Sequence, residues 1–220
     1  MALFGSIHLA LLIGIAAAAT ALARMCRRQR LPFRTARLAL GYVLAGNELI
    51  WWAFRYSHEG LRLANLPLQL CDVTLWATVA ACLTAIPALI EFAYFAGVAG
   101  AGMALLTPDL WSPWPSYPAI YFFIAHGGII VACAVLAFGS HAPFRRGAVW
   151  RVFAMLAAYA LAVGIFNAVF GTNYMYLCHK PRNPSLLNLL GPWPVYLAAG
   201  ALVALALFGI LWLPVRPAKR

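Results

Sequence analysis

The chain has 220 residues, 65% of them hydrophobic and only 10% charged, against the ~25% charged of an average soluble domain. This composition excludes a soluble globular protein and leaves room for about seven helices of ~20 residues, the length that crosses a ~30 Å hydrocarbon core. The formal net charge of +11 would point to nucleic acid in a soluble chain; in a membrane chain Lys and Arg report topology instead, and nucleic acid is not an expected partner.

Taken in chain order, the first apolar run predicts a helix at about residues 3–23. It contains an A-x-A at Ala21 to Ala23, but no Lys or Arg precedes it, so a retained helix is expected and not a cleaved signal. A second helix is predicted at 36–56 and carries Asn47 and Glu48. The third, at 67–86, opens with Pro67 in the favoured first-turn position and reads "LPLQLCDVTLW", with Gln69, Cys71 and Asp72 close together. Pro87 separates it from the fourth, at 88–106, because one run of that combined length would be twice the bilayer thickness.

The fourth holds "FAGVAGAGMA", whose Gly97, Gly100 and Gly102 suit close helix packing. After the Pro- and Trp-rich loop "TPDLWSPWPSYP" comes a fifth helix at 119–138 with "YFFIAHGGII"; His126 is the one histidine deep inside a span, His8 lying near the outer end of the first, and Gly127 and Gly128 leave its flank open for a ligand or a neighbouring helix. A sixth at 149–170 carries Asn167 near its end. The long loop "GTNYMYLCHKPRNPSLLNLLGPWP" then leads to a seventh at 194–214. The fold class expected is all-α, a seven-helix bundle forming a single integral membrane domain over residues 1–220.

Charge orients this bundle. Arg24, Arg27, Arg28, Arg30, Arg34, Arg37, Arg145, Arg146, Arg151, Arg216, Lys219 and Arg220 fall on one side, and Arg55, Arg62, Lys180 and Arg182 on the other. The richer side is expected in the cytoplasm, with the N-terminus outside, the C-terminus inside, and both long loops at the outer face.

Depth follows from ~1.5 Å of rise per residue. It puts Asn47, Glu48, Gln69, Cys71, Asp72, His126 and Asn167 in the outer half, and only Glu91 in the inner half, near enough to its end to reach water. Ionisable groups within a membrane face a bundle interior or a wet cavity and usually mark function. A cavity open to the outer leaflet is therefore expected. Each residue also has a plain structural account: a buried thiol is usually inert, Glu48 can pair with Arg55 two turns on, and Asp72 is favoured by a helix N-terminus in any case.

A thiol near an imidazole is the minimum for nucleophilic acyl transfer, and a helix N-terminus lowers a thiol pKa and offers N–H groups to an oxyanion. Cys71 and His126 are the thiol and the imidazole of this cluster, and Asn47, Glu48 and Asp72 are placed to orient the histidine or a substrate. Lys180 and Arg182 can hold a lipid phosphate, while Asn173, Tyr174, Tyr176 and Trp193 can line the mouth of the cavity or anchor the interface. The five cysteines form no CxxC pair, no HExxH occurs, and no cofactor or metal is signalled. A transporter or receptor binding a small molecule or lipid in the same cavity is the alternative, and a scaffold subunit a third reading.

"LPLQLCDVTLW", "YFFIAHGG", "FGTNYMYLCHKP" and "SLLNLLGPWPVY" together resemble the YwaF-like bacterial integral membrane proteins over about residues 36–214. That group is similar, more distantly, to a eukaryotic transmembrane acyltransferase that moves polyunsaturated acyl chains onto ether lysophospholipids. The resemblance implies a bacterial inner membrane, membrane phospholipids or lysophospholipids as partners, and a catalytic pair at Cys71 and His126. It also reaches membrane hydrolases of fatty-acid esters of hydroxy fatty acids, which use a threonine; here the helix offers Cys71, with Thr74 one turn on.

Overall fold

The computed structural model describes residues 3–110, 112–140, 144–181 and 186–216, with the Leu186 side chain excepted. Seven helices follow one another among them: α1 (Ser6–Arg27), α2 (Phe33–Glu59), α3 (Leu70–Thr84), α4 (Pro87–Leu106), α5 (Tyr117–Phe138), α6 (Ala148–Phe170) and α7 (Val195–Trp212). Five of these, α1, α4, α5, α6 and α7, are long and apolar enough to cross a membrane. The chain is thus an all-α, multi-pass membrane protein by helix composition.

α5 is the central helix. It touches α1, α2, α3 and α4, whereas α6 and α7 pack together and meet the bundle through α4. Its window is 72% buried against 11% for α7, which explains why α5 needs small residues where its neighbours approach. A Cβ on Gly127 would lie 2.8 Å from Ile15 of α1, and one on Gly128 would lie 2.6 Å from Leu44 of α2. The two glycines after His126 therefore admit neighbouring helices, not a ligand.

α2 runs past the predicted apolar stretch at both ends. Its polar ends stay helical because charged side chains suit a helix wherever its backbone bonds continue. α3 starts three residues later than expected: residues 66 and 69 are extended, and Pro67 lies before the helix. The start is set by Gln69 as N-cap, whose backbone N–H donates to Asp72 Oδ2 at 3.0 Å, the carboxylate half of a capping box. Between α3 and α4, Ala85 is left-handed (φ 56°) and Pro87 sits in the first turn of α4, where its missing N–H costs no bond.

α4 contains a π turn at Ala93–Gly97, a feature that apolar composition does not announce. Gly97 lies there against Ile129 and Thr74, while Gly102 faces open space, so only part of the glycine pattern serves packing. Glu91 does not reach water as expected; it is 2% accessible. Its carboxylate accepts from the Arg145 backbone N–H and guanidinium at 2.8–3.0 Å, and from Arg151 Nη2 at 3.0 and 3.1 Å. These bonds tie α4 to the start of α6 and push Arg145 above its ordinary pKa. His8 makes a similar tie across the bundle, from α1 to the Leu105 carbonyl at 2.8 Å.

Candidate functional site

The first turn of α3 and the middle of α5 face a common cavity of about 530 Å³, within the ~300–1,000 Å³ range of small-molecule sites. Cys71, Gln69, Asp72, His126 and Tyr121 all line it, together with Arg55, His58 and Glu59 from the end of α2. Cys71 is an exposed residue and lines this cavity. Cys82 and Cys133, by contrast, are wholly inaccessible in the core.

His126 is buried, and its Nδ1 lies 2.8 Å from the Phe122 carbonyl oxygen one turn earlier. A carbonyl only accepts, so Nδ1 carries the proton in the neutral ring, and Nε2 is left with a lone pair. That is the tautomer a general base needs, fixed by the helix's own backbone. Thr74, the residue at the position where a hydroxyl nucleophile would be sought, is 1% accessible and donates to the Cys71 carbonyl at 3.2 Å. It has neither access nor a free proton.

Glu48 does not pair with Arg55. It is fully inaccessible, and Tyr121 donates to its Oε2 at 2.6 Å; Arg55 bonds Glu59 Oε2 at 3.2 Å and Asn65 Oδ1 at 3.3 Å. Two turns of separation on one helix lost to a phenol 73 residues away, because α2 turns this face towards α5 and its buried carboxylate must find a donor there. Tyr121 is held flat against Trp51, ring centroids 4.3 Å apart and 12° from parallel. Glu48 Oε1 and Asn47 Nδ2 are buried without hydrogen-bond geometry to any group. Glu48 thus orients Tyr121, and neither Glu48 nor Asn47 lines the cavity among the described residues.

The polar residues of the 171–194 loop are brought to the same end of the bundle, but most of them fold the loop. Asn167 is 1% accessible; its Nδ2 donates to the Tyr174 carbonyl, and its Oδ1 accepts from the Tyr174 N–H, both at 2.9 Å. Asn173 Oδ1 accepts from the backbone N–H groups of Cys178 and His179. Tyr174 is buried, donates to Leu63 at 2.6 Å and accepts from Leu66 N–H at 2.7 Å. Lys180 lies over the Tyr196 ring at 5.4 Å, and the Trp193 indole donates to Leu177 at 3.1 Å. None of Asn167, Asn173, Tyr174, Lys180 and Trp193 lines the cavity. Turn and interface residues carry their own backbone bonds first, and here that accounts for them. Arg182 lies outside the described residues.

The loop nevertheless delivers one residue to the cavity, Tyr176. Met175 and Tyr176 are consecutive left-handed residues (φ 57° and 53°), a conformation that side chains other than glycine hold only when the surroundings enforce it. Gln69 Oε1 accepts from the Met175 N–H at 2.9 Å, and the Tyr196 hydroxyl donates to the Tyr176 carbonyl. Gln69 is therefore a wall residue that also pins the loop. Tyr176 is thus the one of the four residues expected at the mouth that does line the cavity, while Tyr121, Trp51 and Arg55 are lining residues to which sequence reasoning gave no role or a different one. Aromatics at a span's end are common enough as interface anchors that only the fold separates them.

Among the described residues no three of His, Cys, Asp and Glu converge as metal ligands would. The cavity offers a thiol and an imidazole whose Nε2 keeps its lone pair within one enclosure, with the Arg55–Glu59 ion pair in its lining, a set suited to acyl-transfer chemistry. Neither a curated protein nor a solved structure matches the chain. A protein-family model does match residues 3–212, nearly the full length, and on that match the chain belongs to the TMEM164 family.

Proposed function

We propose that the protein is a membrane acyltransferase or acyl hydrolase acting on lipids, with Cys71 as nucleophile and His126 as base. The observation that carries this reading is the shared cavity: the accessible thiol and the histidine, its Nδ1 already bonded to Phe122, line one enclosure. The family adds support, since TMEM164 is linked to ether-lipid acyltransferase activity.

The chemistry runs in two halves. His126 Nε2 takes the Cys71 proton, the sulfur attacks the ester carbonyl of a phospholipid, and the alcohol of the lysolipid leaves with the proton from His126. The acyl group then sits on Cys71 as a thioester. In the second half His126 takes a proton from the acceptor hydroxyl, a lysolipid or water. The new C–O bond forms, the C–S bond breaks, and the thiolate recovers its proton. Free N–H groups of the first turn of α3 are the natural oxyanion donors. The outward-facing position of the cavity, with its N-terminus-outside topology, belongs to the same proposal and is supported by the twelve-to-four distribution of basic residues.

Incubation of the purified protein with an acyl phospholipid should leave an acyl adduct on Cys71, visible by intact mass and removed by hydroxylamine. Cys71→Ala should lose the adduct and turnover together; unchanged turnover in that variant would overturn the covalent mechanism.

A further inference from the structure

Arg24, Arg27, Arg28, Arg30, Arg34 and Arg37 cluster around the connection between α1 and α2, and two of them brace helix ends. Arg37 donates to the Cys82 and Leu83 carbonyls at the end of α3, and Arg27 to the Ser140 carbonyl just past α5. Such bonds satisfy carbonyls that a helix end leaves open. Arg24, Arg28, Arg30 and Arg34 are exposed, and among the described residues no acceptor or acid is bonded to their side chains.

The connection that carries them is short and closed. The Arg30 N–H returns to the Met25 carbonyl at 2.9 Å, and Gln29 is left-handed (φ 55°), a conformation that commonly closes a helix end. It packs against the end of α5, where a Cβ on Gly139 would lie 3.0 Å from Cys26 and 3.4 Å from Phe33. The four arginines therefore leave one fixed turn at one end of the bundle.

No acid answers them. Of the chain's five Asp and Glu, Glu91 is bonded by Arg145 and Arg151, and Glu48 by Tyr121. Glu59 and Asp72 line the Cys71 cavity, and Asp109 precedes α5, at the opposite end of that helix. Arg24 has Arg28, the C-cap of α1, as its i+4 neighbour, a spacing at which like charges repel. Arg34 lies in the first turn of α2, where the helix dipole disfavours a cation. Charges placed at these costs are compensated by an anion from outside the chain.

We propose that this turn binds an anionic phospholipid, and that a lipid carrying two phosphodiester groups fits it best. One phosphate bridges Arg24 and Arg28, the other Arg30 and Arg34, since planar guanidiniums bond phosphate oxygens two at a time. The occupant is a lipid and not a free anion because the apolar window of α1 is only 17% buried. Hydrocarbon therefore reaches this helix directly beside the arginines, and acyl chains lie along it. Basic clusters at the end of a membrane span recognise anionic lipids in this way. The site is separate from the Cys71 cavity; it depends neither on the acyl chemistry nor on which leaflet meets this end.

The test uses the full chain purified in detergent, with three lipids of matched acyl chains: diphosphatidylglycerol, which has two phosphates, phosphatidylglycerol, and zwitterionic phosphatidylethanolamine. In native mass spectra the wild type should retain the two-phosphate lipid at least about tenfold better than the zwitterion, with phosphatidylglycerol between them. Arg28→Gln and Arg34→Gln should each lower that retention about fivefold, the weight of one basic residue at an anionic surface, while Arg28→Lys keeps most of it. Arg216→Gln, which removes the same charge beyond the end of α7, should leave retention unchanged. Where a variant does not fold, the wild type decides: the rise in Tm produced by the two-phosphate lipid should shrink towards ~1 M salt, where the screening length is ~3 Å. Equal retention of the three lipids, a loss on Arg216→Gln as large as on Arg28→Gln, or a Tm rise indifferent to salt would overturn the proposal.

Discussion

Replacing Gly128 by Ala tests the packing that holds His126 in place. The new methyl would stand 2.6 Å from Leu44 Cδ2 and 3.4 Å from its Cγ. Leu44 is 1% accessible, so its branch has little free space into which to rotate. Overpacking of this kind costs ~1–3 kcal/mol, while the gain in helix propensity from Gly to Ala returns ~1 kcal/mol. The net expectation is a destabilisation of about 1 kcal/mol, which for a chain of this size lowers Tm by roughly 2–4 °C. Gly46→Ala and Gly14→Ala are the controls, because nothing lies within 4 Å of either new Cβ, and both should hold or raise Tm. Thermal unfolding in detergent followed by loss of the monodisperse peak reads all three. Pairing Gly128→Ala with Leu44→Ala should cost less than the sum of the two, since the methyl enters the space the leucine vacates. If Gly128→Ala is as stable as the controls, or the pair is additive, the close approach of α2 and α5 is not what the glycine serves.

Tyr121→Phe should lower stability by about 1–3 kcal/mol, because it leaves the inaccessible Glu48 without its phenol donor, and Glu48→Gln in the same chain should recover part of the loss in the same melting assay. Ala85→Gly should raise stability by roughly 0.5–1 kcal/mol, relieving a left-handed alanine against the entropy a glycine adds to the unfolded chain; a lower melting temperature would contradict the turn. Small maleimides should alkylate Cys71 and Cys178 in the native protein and spare Cys26, Cys82 and Cys133, with peptide mapping as the readout. Labelling of Cys82 or Cys133 at a comparable rate would contradict their burial.

Hydropathy, with Pro87 as the one break it needed, located all seven helices to within a few residues; a bilayer span must be long and apolar, and five of the seven meet that measure while α2 and α3 do not. The misplaced start of α3 shows the limit. Pro67 is a sound helix-opening signal, but Gln69 and Asp72 form a cap nearer the apolar run, and hydrogen bonds outrank a φ preference. Of the residue types that the sequence put at one expected depth, Cys71, Asp72, Gln69 and His126 line one cavity. Partner choice was not legible. Glu48 had a neighbour of opposite charge on its own helix, yet the face it shares with Arg55 is divided between Tyr121 on one side and Asn65 on the other. Nothing local in the sequence encodes a phenol on α5. The long loop failed for the opposite reason: Asn173 and Tyr174 are the residue types that bind ligands and also the types that satisfy a turn's own backbone, and their spacing is the same in both cases.

The Glu91 cluster has a bearing on how the chain is built. During synthesis the acid on α4 emerges 54 residues before Arg145 and 60 before Arg151. Until those arginines arrive it is a lone carboxylate near the end of an apolar segment, which a bilayer does not hold cheaply. The partners that compensate Glu91 are therefore separated from it in the chain by the whole of α5, so the charge balance of α4, which carries the π turn and connects the bundle to α6 and α7, is a property of the assembled bundle and not of the helix alone.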